Sequence, residues 1–119
     1  CVMVRRDNGE KVTVNLTELE DKASSLLDDI QRNLYDMAKK NLEENTFSAT
    51  SVEQVKEIVD TKGGFVKMMW CGDLECELKM KEEAGVSSRC IPYVQEHIGD
   101  VCPCCGKPAK HMVVWGVAY

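Results

Sequence analysis

The chain has 119 residues, 44% hydrophobic and 29% charged, a balance that suits one ordinary folded domain, or a small domain joined to a piece of a neighbour, and excludes a disordered tail. Its formal net charge of −5 offers no basic face for a phosphate backbone, and its longest apolar run, around Gly64 to Cys71, falls far short of the roughly 20 residues that a membrane span needs. The 7 cysteines are an odd number with no secretory signal ahead of them, which speaks against a disulfide framework and for a reducing, cytoplasmic setting where clustered cysteines mean metal or redox chemistry. The opening Cys1-Val2-Met3-Val4 reads as that of a fragment.

Val2 to Arg6 and Lys11 to Val14 alternate apolar and polar around Asp7-Asn8-Gly9, predicting a β-hairpin. A two-residue Asn8-Gly9 loop would set Asp7 against Glu10. A three-residue loop with Gly9 left-handed is therefore expected, pairing Arg6 with Glu10, Val4 with Val12 and Val2 with Val14 on one apolar face. Asn15, with Glu18 as its capping-box partner, is expected to open a helix whose apolar stripe runs from Leu19 through Leu26, Ile30 and Leu34 to Leu42 and ends near Glu44. Its length of about 42 Å exceeds what one small domain requires and reads as a strut between two bodies.

Asn45 to Thr50 reads as a loop. Ser51 and Gln54 then form a second capping box ahead of the apolar face Val52, Val55, Ile58 and Val59, and Gly63-Gly64 closes that helix. The run Phe65 to Trp70 suits a strand buried on both faces, leading straight into Cys71. A third helix is expected from Asp73 through Ala84 with Gly85 as its C-cap, then a strand from Val86 to Ile91 stopped by Pro92. A loop over Tyr93 to Val101, a tight turn over Cys102 to Pro108 and a last strand over Met112 to Val117 complete a small α/β domain.

The chemistry lies in the cysteines. Cys102-Pro103-Cys104-Cys105-Gly106-Lys107 has the form C-P-x-C-G-K, a metal knuckle in which proline starts the turn, the backbone amides face the sulfurs and glycine supplies positive φ. Cys71-Gly72-Asp73-Leu74-Glu75-Cys76 supplies a second pair at a strand-to-helix junction, where the helix N-terminus favours a thiolate at Cys76. Four thiolates make a closed tetrahedral site, for zinc rather than iron, with no open position at which to activate water. Cys104 points away from such a metal, and Cys90, beside Ile91 in a strand, reads as a small buried hydrophobe. His97 and His111 lack ligand spacing.

Trp70-Cys71-Gly72-Asp73 with Cys76, Ser88-Arg89-Cys90-Ile91-Pro92, Cys102 to Lys110 and the terminal Ala118-Tyr119 together resemble the C-terminal end of the prolyl-tRNA synthetase family, in its archaeal and eukaryotic-like form. Upstream, Val4 to Glu10 and Ile30 to Tyr35 resemble the end of that family's anticodon-binding domain and its connecting helix, so the resemblance covers essentially the whole chain. It implies an α/β (α+β) fold, a two-layer sandwich with a mixed sheet related to the C-terminal domain of translation initiation factor three, preceded by a β-hairpin and a long helix. It divides the chain into residues 1–15 of the anticodon-binding domain, a connecting helix over 16–45 and a zinc domain over 46–119. It further implies structural Zn2+ on Cys71, Cys76, Cys102 and Cys105. ATP, Mg2+ and every catalytic residue belong to an upstream domain that charges tRNA(Pro) with proline. The implied parent is a cytoplasmic homodimer without membrane attachment, and Tyr119 packs back towards its active site. Two other functions remain open at this point: an independent zinc-ribbon module binding protein or RNA, and a thiol oxidoreductase using Cys102 and Cys105.

Overall fold

A computed structural model describes residues 1–118, and Tyr119 lies outside the described residues. The chain divides into two compact units, Cys1–Glu43 and Glu44–Tyr119. Among the described residues no helix is long and apolar enough to cross a membrane.

In the first unit, β1 (Val2–Val4) and β2 (Lys11–Thr13) form an antiparallel hairpin. Its register is Val2 with Thr13, Met3 with Val12 and Val4 with Lys11, one residue away from the expected pairing. Arg5, not Arg6, faces Glu10: the Arg5 amide donates to the Glu10 carbonyl at 2.8 Å and the Gly9 amide to the Arg5 carbonyl at 3.0 Å. The loop is therefore the four residues Arg6 to Gly9, with Gly9 at φ +75°. Side chains decide this. Asp7 accepts from Arg5 Nε and Nη2 at 3.1 and 2.7 Å and from Asn33 Nδ2 at 2.7 Å, while Asn8 Oδ1 accepts the Glu10 amide at 3.0 Å. The expected apolar face consequently splits, with Val2 and Val4 exposed and Met3, Val12 and Val14 turned inward.

The Arg5 guanidinium, helped by the Asn33 amide, holds the Asp7 carboxyl well below the usual carboxylate range. A depressed folded value means that Asp7 contributes stability that is present above its unfolded pKa, near 4, and is lost as pH falls towards the folded value. Asp7→Asn should therefore lower the melting temperature of the hairpin at pH 7, with the gap to the parent closing below about pH 4. Thermal melts between pH 7 and pH 2 read this directly, and a gap independent of pH would rule it out.

A 3₁₀ turn over Leu16–Glu18 precedes α1 (Leu19–Glu44), whose 26 residues extend about 39 Å. The capping box expected at Asn15 is not formed. The Asn15 side chain makes no cap bond, and its carbonyl instead accepts the Glu18 amide at 3.1 Å, closing the tighter turn. Leu26 is the buried residue of α1, whereas Leu27, Leu34, Tyr35 and Met37 lie exposed on it.

The second unit is a mixed four-stranded sheet in the order β3-β4-β6-β5, with β4 (Phe65–Trp70) and β6 (His111–Gly116) at its centre. The segment expected as a loop contains β3 (Thr46–Ser48), parallel to β4, with Thr46 opposite Phe65. Three residues carry no readable period; β3 exists through its pairing. Between them α2 (Val52–Thr61) makes the crossover. Ser51 Oγ accepts the Gln54 amide at 3.2 Å as expected, but Gln54 Oε1 turns to the amide and hydroxyl of Thr50, at 2.9 and 3.1 Å, rather than back to Ser51. Ile58 O accepts the amides of Lys62 and Gly63 at the helix end.

After β4 comes α3 (Leu74–Ala84), ended by Gly85 at φ +67°. Helices α2 and α3 cover one sheet face: Val52, Val55, Met80 and Ala84 pack on Val66, Met68, Val113 and Trp115, with Val86 closing the cluster. The other face holds Met69 and Met112 under the 92–100 segment, whose Gln95 accepts the Met112 amide at 2.6 Å and whose Glu96 pairs with Lys67. The fifth strand, β5 (Ser87–Cys90), is shorter than expected and lies at the edge. Its pairing with β6 shifts between Ser88 and Cys90 in a β-bulge. Cys90, at the end of this edge strand, is exposed rather than buried.

Candidate metal centre

Three chain segments meet at one end of the sheet. Cys71 follows β4 directly, Cys76 sits in the first turn of α3, and Cys102 and Cys105 lie in the turn that precedes β6. Their four sulfurs all lie within 4.8 Å of one another. Cys71 Sγ is 3.6 Å from Cys76 Sγ and 3.7 Å from Cys105 Sγ. Those separations are too long for a disulfide, whose sulfurs stand about 2 Å apart, and match the edge of about 3.8 Å of a tetrahedron with Zn–S bonds of about 2.3 Å. The donor set thus fits a zinc ion. Because Cys71 and Cys76 share the cluster, a redox pair made of Cys102 and Cys105 alone leaves half of it unexplained.

Backbone geometry holds the donors. The Cys102 amide donates to the Lys107 carbonyl at 2.8 Å, and the Cys102 carbonyl accepts the amides of Cys105 and Gly106 at 3.3 and 2.8 Å. Gly106 stands at φ +73°, which a residue with a Cβ adopts only under strain. A bridge between Val101 and Pro108 and the bond from the Ala109 amide to the Asp100 carbonyl close the base of this ribbon. Lys110 N then donates to the Trp70 carbonyl at 2.8 Å, locking the ribbon to the end of β4. Gly72 stands at φ +94°, a conformation that side chains rarely adopt, with the Lys110 side chain alongside it.

Polar contacts at the rim connect the two half-sites. Trp70 Nε1 donates to the Asp73 carbonyl at 3.2 Å, Lys107 Nζ pairs with Asp73 Oδ2 at 2.8 Å, and Lys79 Nζ donates to the Cys104 carbonyl at 3.3 Å. The Lys107 ammonium holds the Asp73 carboxyl below the usual range. Lys107 belongs to the C-P-x-C-G-K knuckle, but nothing in its spacing assigns it Asp73, which lies 34 residues earlier.

Cys71, Cys76 and Cys102 are buried, and Cys105 is exposed. Burial pushes the thiols of Cys71 and Cys76 up, Cys76 strongly. Burial also acts upwards on Cys102, but hydrogen bonding from the backbone of Cys104 and Cys71 and with the side chains of Cys71 and Cys105 together brings the thiol below its ordinary value. Cys104 is half-buried outside the group of four, and burial raises its thiol to about 12, leaving a neutral packing residue. His97 lies away from the sulfurs in an exposed pair with Asp100, and His111 opens β6.

The family model described as "Prolyl-tRNA synthetase, C-terminal" matches residues 52–119. The chain is 53% identical over 118 residues to proline–tRNA ligase 2 of a Bacillus cereus strain and 55% identical over 118 residues to the proline–tRNA ligase of Clostridium novyi (strain NT). It is 48% identical over 119 residues to the proline–tRNA ligase of Lachnospira eligens. These matches cover 99% to 100% of the chain but only 25% of each relative, so the chain spans about a quarter of their length. With the whole of α2 and everything after it inside the matched region, the chain belongs to the prolyl-tRNA synthetase C-terminal family.

Proposed function

We propose that this chain is the C-terminal quarter of a proline–tRNA ligase and that Cys71, Cys76, Cys102 and Cys105 hold one structural zinc ion in it. The reading is supported most directly by the four sulfurs gathered within 4.8 Å where β4, α3 and the turn before β6 meet. When bound, zinc stabilises four thiolates as ligands and, with no open coordination position, activates no water. The protein's share of the work is positional: the ribbon over residues 100–110 is tied to Trp70, and β6 starts immediately after it.

In this reading residues 1–15 complete an anticodon-binding domain, residues 16–45 connect it, and residues 46–119 form the zinc domain. The exposed Leu27, Leu34, Tyr35 and Met37 of α1 are covered by other parts of the parent. Activation of proline with ATP and Mg2+, and its transfer to tRNA(Pro), take place upstream in a cytoplasmic homodimer. In the same reading, Tyr119 serves that catalytic domain. Removing Tyr119 from the parent ligase should lower kcat for aminoacylation by about tenfold while zinc content and melting temperature stay the same. Unchanged aminoacylation would remove the terminal residue's role.

A further inference from the structure

The two steps from Ser88 to Cys90 in β5 are matched by a single step, Trp115 to Val114, on β6, so Arg89 is the extra residue of the bulge. Bulges re-aim the side chain they carry. Here Arg89 Nη2 reaches past the end of β6 and donates to the carbonyl of Val117 at 2.6 Å. The guanidinium passes beside Gly116, where a Cβ would press on Phe65 Cδ1 at 3.1 Å and meet Arg89 Nε at an ordinary contact distance of 3.5 Å. On the neighbouring residue, Ser88 Oγ donates to Glu77 on α3, which pins the strand beside the bulge.

We propose that Arg89 is a positioning residue for the terminal segment: projected from the β5 bulge across Gly116, it holds the Val117 carbonyl and sets the direction in which the chain leaves β6. A charged donor on a backbone carbonyl restrains the segment more firmly than a neutral one. The bulge and the bond itself are two separate features of the backbone and the side chain that converge on one carbonyl. For catalysis, the inference rests on the reading that the terminal segment serves the parent's active site; for the tether it does not.

The test uses the full parent ligase carrying Arg89→Ala or Arg89→Lys. Amide hydrogen exchange of the peptide over residues 114–119 reads the tether, and aminoacylation kinetics read its use. In Arg89→Ala, exchange in that peptide should rise about fivefold and kcat should fall by a similar factor, with KM for ATP, zinc content and melting temperature unchanged. Arg89→Lys should restore most of both. Faster exchange with unchanged kcat would support the tether and overturn the terminal segment's catalytic role. Unchanged exchange in Arg89→Ala would overturn the proposal.

Discussion

Replacing Cys102 with serine should abolish stoichiometric zinc in the 119-residue chain and lower the melting temperature of the second unit by about 15 °C or more. Cys102 is fully buried, and hydrogen bonds to its sulfur hold its thiol below the ordinary value. A serine oxygen there leaves three thiolates and weakens the site, while Cys71 and Cys76 return to neutral buried thiols. The loss stops short of complete unfolding, because the main cluster around Met68, Met80 and Trp115 is formed without the metal ligands. Trp70 and Cys104 touch both clusters, so damage at the site still reaches the core. Losing the cross-link should cost about 3 kcal/mol or more, and in a unit of this size each kcal/mol moves the midpoint by about 4–8 °C. Metal analysis and thermal melts check the result, with Cys104→Ser as the companion that keeps its zinc. An unchanged midpoint in a chelated sample would exclude a structural metal. Because ligands must lose their protons, the metal-dependent part of the stability should also fade as pH is lowered.

Gly64→Ala should cost roughly 3 kcal/mol, against about 1 kcal/mol for Gly63→Ala, although the two glycines are adjacent and both left-handed, at φ +84° and +71°. The difference is steric. A Cβ on Gly64 would sit 2.3 Å from the Asn45 carbonyl oxygen, whereas one on Gly63 meets nothing within 4 Å. That oxygen also accepts the Phe65 amide at 2.8 Å, the bond that starts the parallel pairing of β3 with β4. Moving the carbonyl therefore loosens β3, while Gly63→Ala meets the conformational penalty alone. Urea unfolding of both variants measures the gap. Equal losses would mean that the close approach to Asn45 is unimportant.

Elements with their own pattern were legible in the sequence: α2 through its Ser51 cap and apolar face, α3 through its Gly85 C-cap although the Asp73 side chain makes no cap bond, β4 and β6 as apolar runs, and the gathering of two cysteine pairs through their spacing. What was not legible depended on partners distant in sequence. The hairpin register turns on Asp7, whose carboxylate is held partly by Asn33, 26 residues away. Three-residue β3 has no period of its own and is defined by β4. Cys90 looked buried because it stands in a strand beside the apolar Ile91, but burial follows strand order, and order places β5 at the rim. Arg89 stood out only as part of a motif; its reach to Val117 needs a bulge that no local pattern announces.

The two rims of the four-stranded sheet also bear on solubility. With only three residues in β3 and a bulge in β5, neither rim offers a long flat template to a strand from another molecule. The dangerous segment is internal: Phe65-Val66-Lys67-Met68-Met69-Trp70, apolar apart from one lysine and shielded between β3 and β6. Since β6 starts just beyond the cysteine ribbon, oxidation or stripping of the four thiols loosens the first residues of the strand that covers it. The expected fate of such damaged chains is aggregation that starts from the exposed end of β4.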